Sequence, residues 1–183
     1  MYIIKRKVLN NFAHTVYLNV KRKNTILKIR QSGCKMYKIL IVDDESIERE
    51  GISFLIEKYK LPLEVAQATN GKTALEYMRT HPIDILLTDV KMPQMDGLEL
   101  ARHTFEKYPD VRILVFSAYG EFEFAKKAMA AQAVSYLLKP IEVDEFQRVM
   151  TQIIAQCDEL SEKKKDEQQR GKESRRPSGL RKT

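Results

Sequence analysis

Between Met36 and about Leu160, short apolar runs alternate with amphipathic stretches five times over, and this alternation restricts the fold more than any other feature of the chain. Tyr37 to Val42 reads as a strand, Ile47 to Tyr59 as a helix with Ile47, Ile52, Leu55 and Ile56 on one side, and Leu63 to Ala68 as a second strand. Asn70 is placed to cap a helix through Arg79, and Ile83 to Thr88 forms a buried strand ending at Asp89. The loop from Lys91 to Gly97 then leads into a helix through Tyr108. A strand over Arg112–Phe116, a helix over Glu121 to Ala131, a strand over Ser135–Leu138 and a last helix from about Val143 complete the series. Repeated β-then-α units predict an α/β fold, a doubly wound parallel sheet with helices on both faces.

In such a sheet, ligands bind outside the carboxyl ends of the strands, where the strand order reverses. The first strand ends in Asp43-Asp44, the third in Asp89, the fourth in Ser117 and the fifth in Lys139-Pro140. With the order 2-1-3-4-5, the first and third strands are neighbours, and three carboxylates converge in one crevice. Clustered carboxylates repel one another and take up protons unless a cation offsets them. Hard oxygen donors with open positions suit Mg2+, which keeps waters and accepts phosphate oxygens. A lysine and a serine hydroxyl at neighbouring strand ends would hold the other oxygens of a phosphoryl group. The set fits phosphoryl transfer to a carboxylate. Taken alone, Asp43 or Asp44 reads as a helix-capping carboxylate, and Ser117 as a turn residue.

The segments Ile39-Leu40-Ile41-Val42-Asp43-Asp44-Glu45, Leu87-Thr88-Asp89-Val90-Lys91-Met92-Pro93 with Asp96-Gly97, Phe116-Ser117-Ala118 and Tyr136-Leu137-Leu138-Lys139-Pro140 occur in order at suitable spacings. Together they resemble the receiver domain of two-component response regulators, over about Met36 to Cys157. The resemblance implies a flavodoxin-like fold and a phosphoacceptor role for Asp89, with a histidine kinase as donor. It implies Mg2+ held by Asp43, Asp44, Asp89 and the backbone carbonyl of Lys91. Ser117 would bond the phosphoryl group, Lys139 would pair with it, and the Lys139-Pro140 bond would be cis, a form nearly confined to X-Pro. It also implies a switch in which Ser117 moves toward the phosphoryl oxygens and the Tyr136 ring turns inward, reshaping the face of the fourth helix, fifth strand and last helix. Such a domain is a signalling element, not an enzyme beyond self-phosphorylation from small donors and self-dephosphorylation.

Tyr136 has a plainer reading as packing, and Met92, Met95 and Met129 read as packing too. His14, His81 and His103 lie outside the acidic set. Receivers commonly carry a glycine near position 132, where this chain has Gln132, a departure that concerns local geometry and not chemistry. Two other functions compete. One is a scaffold of the same fold that is never phosphorylated, against which the complete acidic set argues. The other is a phosphohydrolase with an aspartyl-phosphate intermediate, which would want an acid/base aspartate two residues after the nucleophile, where Lys91 stands.

The formal charge of +7 is unevenly spread over the 183 residues. Residues 1–35 carry nine basic and no acidic side chains, 36–157 carry 14 and 19, and 158–183 carry nine and six. The expected domain is thus acidic, and the excess that would suggest a nucleic-acid partner belongs to the ends. For residues 1–35, the readings are a nucleic-acid-binding arm around Lys21-Arg22-Lys23, an unstructured extension preceding a start at Met36, or a two-strand appendage over Thr15-Val20 and Thr25-Ile29. Receivers with motifs similar to Phe122–Ala128 and Tyr136–Ile141 are often joined to AraC-type DNA-binding domains. Only 23 residues follow Leu160, too few for one, so the expectation is a stand-alone receiver or a truncated regulator that does not itself bind DNA. Residues 158–183 are expected to extend the last helix and then lose order. Cys34 and Cys157 have no metal or disulfide spacing, no apolar run reaches transmembrane length, and the cytoplasm is the expected compartment. Val143, Phe146, Met150, Ile153, Cys157 and Leu160 form a heptad stripe with two readings: packing on the sheet, or a short coiled coil that would favour a homodimer on phosphorylation.

Overall fold

A computed structural model describes residues 35–118 and 135–173, with side chains through residue 170. Its elements are β1 (Tyr37–Val42), α1 (Ser46–Lys58), β2 (Leu63–Ala68), α2 (Gly71–Thr80), β3 (Ile85–Asp89), α3 (Gly97–Lys107), β4 (Arg112–Ala118), β5 (Ser135–Lys139) and α4 (Val143–Glu173). The expected helix over 121–131, the position of Gln132, the readings of residues 1–34 and the last ten residues lie outside the described residues.

All strand pairs are parallel and the order is β2-β1-β3-β4-β5, the expected doubly wound sheet. Alternation along the strands divides the core in two. Ile39, Ile41, Ile85, Leu87, Leu114, Phe116 and Leu137 face one side, covered by Ile52 and Ile56 of α1 and by α4. Leu40, Val42, Leu86, Ile113 and Val115 face the other, covered by Ala74 and Met78 of α2 and by Leu100 and Ala101 of α3. Burial on both faces is why these strands read as continuous apolar runs.

The helix starts follow their side chains. Asn70 Oδ1 accepts from Thr73 N at 2.9 Å while Asn70 N donates to Thr73 Oγ1 at 3.3 Å, a reciprocal cap on α2. Asp96 Oδ1 accepts from Glu99 N at 2.7 Å at the start of α3. Ile47 departs from expectation: it is 73% exposed, because the first turn of α1 lies clear of the sheet face that Ile52 and Ile56 cover.

The heptad stripe resolves in favour of sheet packing. Phe146, Met150, Ile153 and Cys157 are buried against the sheet together with Val149 and Ile154, so the buried face is wider than a two-position coiled-coil seam. Val143 is exposed and Leu160 only half-buried, so the ends of the expected stripe add little. The residues that would have joined two copies are already in the core. Past Leu160 the helix continues as a polar rod, with Lys164 Nζ 2.6 Å from Asp110 on the surface.

At the opposite end of the sheet from the acidic residues, the buried Tyr37 hydroxyl donates to Asp158 Oδ1 at 2.6 Å, tying the start of β1 to α4. Burial, and then the hydrogen bond and charge of Asp158, push the phenol pKa up. Tyr37→Phe is expected to lower the unfolding free energy by about 1–2 kcal/mol, read from urea transitions with an unchanged slope.

Candidate functional site

The topology brings the carboxyl ends of β1 and β3 side by side, with β4 and β5 following. Val42 pairs with Thr88, Asp89 with Phe116, and Ala118 with Lys139, so Asp43, Asp89 and Lys139 arrive at one rim from three strands. Lys139 Nζ lies 3.0 Å from Asp43 Oδ2 and 3.0 Å from Asp89 Oδ1, bridging the two carboxylates. The side chains of Asp43, Asp89 and Lys139 are 1%, 10% and 18% exposed, so the three charges meet largely out of water.

The backbone fixes each carboxylate further. Asp43 Oδ1 accepts from Glu45 N at 2.7 Å, so Asp43 binds the chain just ahead of α1, and Arg49 donates to its carbonyl at 2.6 Å. Asp89 Oδ2 accepts from Lys91 N at 2.9 Å, and the Thr88 hydroxyl donates to the Asp89 carbonyl at 3.0 Å. Burial pushes the Asp89 pKa up, the hydrogen bond and charge of Lys139 pull it down, and Asp43 pushes it up again; the net direction is upward. For Lys139, burial lowers the pKa, but the hydrogen bonds and charges of Asp43 and Asp89 outweigh it, so the ammonium is firmly protonated.

The expected convergence of three carboxylates is corrected in one respect. Asp44 is exposed, and among the described residues no three Asp, Glu, His or Cys side chains gather closely enough to hold a metal ion. The Lys139 ammonium stands between the two buried carboxylates, and Asp44 is left at the rim. The donor set still fits Mg2+: two buried carboxylates share one ammonium, leaving a net negative charge and hard oxygen donors beside an exposed third.

Ser117 is 2% exposed at the end of β4, in register with Leu138 and one residue beyond the partner of Asp89. Tyr136 lies half-buried against the Leu40/Val115 cluster, on the Ser117 face of the sheet, and its buried hydroxyl has no hydrogen-bond partner among the described residues. The Lys139-Pro140 bond is cis, as the resemblance implied. Neither His81 nor His103 enters the site: Tyr77 stacks on the exposed His81, and His103 lies 3.8 Å from Glu99 along α3.

Sequence reasoning missed three supports of this site. Gly97 N donates to the Val90 carbonyl at 2.9 Å, and a Cβ on Gly97 would run into the Asp89 carbonyl. Arg49 reads as an ordinary surface charge on α1 until its bond to Asp43 is seen. Phe116 reads as core, yet Lys139 Nζ sits 4.5 Å from the centre of its ring.

Comparison with known proteins agrees with this fold. The family model for the response regulator receiver domain matches residues 39–151. The chain is 42% identical over 122 residues to the uncharacterized transcriptional regulatory protein YesN of Bacillus subtilis, covering 66% of this chain and 33% of that protein. It is 32% identical over 120 residues to the response regulator GacA of Pseudomonas aeruginosa, covering 66% of this chain and 56% of that one. The chain therefore spans between a third and somewhat over half the length of these relatives. Among solved structures, the REC domain of AraT from Geobacillus stearothermophilus matches with a TM-score of 0.65 at 37% identity, covering 69% of this chain and 99% of that one. A two component transcriptional regulator AraC from Clostridium phytofermentans matches with a TM-score of 0.62 at 36% identity, covering 67% and 96%. Among the described residues, no helix is long and apolar enough to cross a membrane.

Proposed function

The chain belongs to the response regulator receiver domain family, and from that premise we propose that it accepts a phosphoryl group on Asp89 from a histidine kinase and passes the signal to an output partner in the cytoplasm. The observation that carries this reading is the ammonium of Lys139 at 3.0 Å from both Asp43 and Asp89 on neighbouring strand ends. An Asp89 oxygen attacks phosphorus, a P–O bond forms, and the P–N bond to the kinase imidazole breaks. Lys139 is placed to exchange a carboxylate oxygen for a phosphoryl oxygen without travelling far, and the Ser117 hydroxyl offers a second donor from β4.

Asp43, Asp44, Asp89 and the Lys91 carbonyl are the groups that would hold Mg2+, which when bound offsets the charge of the carboxylates and of the incoming phosphoryl oxygens. The switch follows from the same rim: a displaced Ser117 changes the space open to the Tyr136 ring, which lies on the same sheet face. The transcription regulators among its relatives support gene control as the output, exerted through a partner or further domain.

The test is incubation with Mg2+ and acetyl phosphate, followed by detection of an acid-stable, base-labile adduct. Labelling of the native chain and its abolition in Asp89→Asn is the expected result. An unlabelled native chain would overturn the proposal, and rapid turnover of unrelated phosphate esters would favour the phosphohydrolase.

A further inference from the structure

We propose that Phe116 is a positioning residue for phosphoryl transfer, its ring face holding the Lys139 ammonium in the gap between Asp43 and Asp89. The inference rests on the phosphoacceptor reading above. Phe116 is fully buried in β4, in register with Asp89 on one side and Leu137 on the other. Strand alternation gives it the same sheet face as Asp89, Leu137 and Lys139. Lys139 Nζ stands 4.5 Å from the ring centre, inside the reach of about 6 Å over which a ring quadrupole attracts a cation.

The chemistry of the neighbour matters because an ammonium has only three donors. Asp43 and Asp89 each take one. A polar side chain in the place of Phe116 would compete for the third, and an aliphatic one would leave part of a poorly hydrated cation uncompensated. An aromatic face attracts the charge without accepting a conventional hydrogen bond, so it steadies a long flexible side chain and leaves a donor for the incoming phosphoryl oxygen. Preorganisation of this kind raises the transfer rate because the cation need not be recruited during the reaction.

The test replaces Phe116 with mono-, di- and trifluorinated phenylalanine, which weakens the ring quadrupole in steps at nearly constant shape. Labelling by acetyl phosphate with Mg2+ is expected to slow progressively, by about threefold to tenfold over the series, and the urea midpoint of unfolding should fall in the same order. Packing alone would leave both readouts flat along the fluorinated series, and that result overturns the proposal. An unlabelled native chain would instead sink the phosphoacceptor reading; the urea transitions need no phosphoryl transfer and would still decide whether the ring holds the ammonium.

Discussion

Gly97→Ala is expected to destabilise the domain by about 3 kcal/mol or more and to cut labelling of Asp89 sharply in whatever fraction stays folded. A Cβ at position 97 would overlap the Asp89 carbonyl oxygen and lie 2.8 Å from both the Asp89 carbonyl carbon and Thr88 Oγ1. Two of these atoms are backbone, so no side-chain rotation relieves the overlap. Either the β3 end shifts, carrying Asp89 away from Lys139, or the start of α3 withdraws and loses the Gly97 N to Val90 carbonyl bond. Urea unfolding reads the first effect and adduct yield the second. Native stability with native labelling would show that the loop can open without cost, contrary to this account.

The second large effect concerns the bridge itself. Lys139→Met keeps most of the side-chain stem but leaves two buried carboxylates facing each other, at an expected loss of about 3 kcal/mol near neutral pH. The pH dependence has a definite sign. Asp89 is already raised by burial, and Lys139 is the group pulling it down. Without Lys139, the folded-state pKa of Asp89 rises further above the unfolded value. The native variant then binds more protons than the unfolded chain between the ordinary carboxylate range and the raised value, so stability returns as pH falls through that window. The gap between native and variant unfolding free energies should therefore be wider at about pH 8 than at about pH 5, and adding Asp89→Asn to the variant should close much of it. An equal gap at both pH values would place the loss in packing.

The parts of this molecule that could be read from sequence are those written in local order. Apolar runs gave the strands, Asn70 gave one helix start, and charged residues at strand ends gave Asp43, Asp89 and Lys139. What could not be read depends on distances between residues far apart in the chain. Nothing in the run from Ser46 to Lys58 says that the first turn of α1 stands clear of the sheet, so periodicity alone puts Ile47 on one side with Ile52, Leu55 and Ile56. The heptad spacing in α4 fits a coiled-coil seam and a sheet-facing stripe equally well, and only the burial of Val149 and Ile154 beside it separates the two. Counting carboxylates predicted a cluster of three; whether an ammonium would lie between two of them depends on the path of β5, which no local pattern encodes. Phe116 is the plainest case, since a buried phenylalanine in a strand looks the same with or without a cation over its ring.

The order of the sheet has a consequence for how the domain is made. β1 lies between β2 and β3, yet it is synthesised before both. Its run Ile39-Leu40-Ile41-Val42 leaves the ribosome with no partner for either edge until Leu63–Ala68 and then Ile85–Asp89 have followed. No hairpin can shelter it meanwhile, because every pairing in this sheet is parallel and requires a crossover. An interior strand of the finished sheet, buried along most of its length, is thus the one exposed longest during translation, and the point at which nascent chains are most open to aggregation and to chaperone capture.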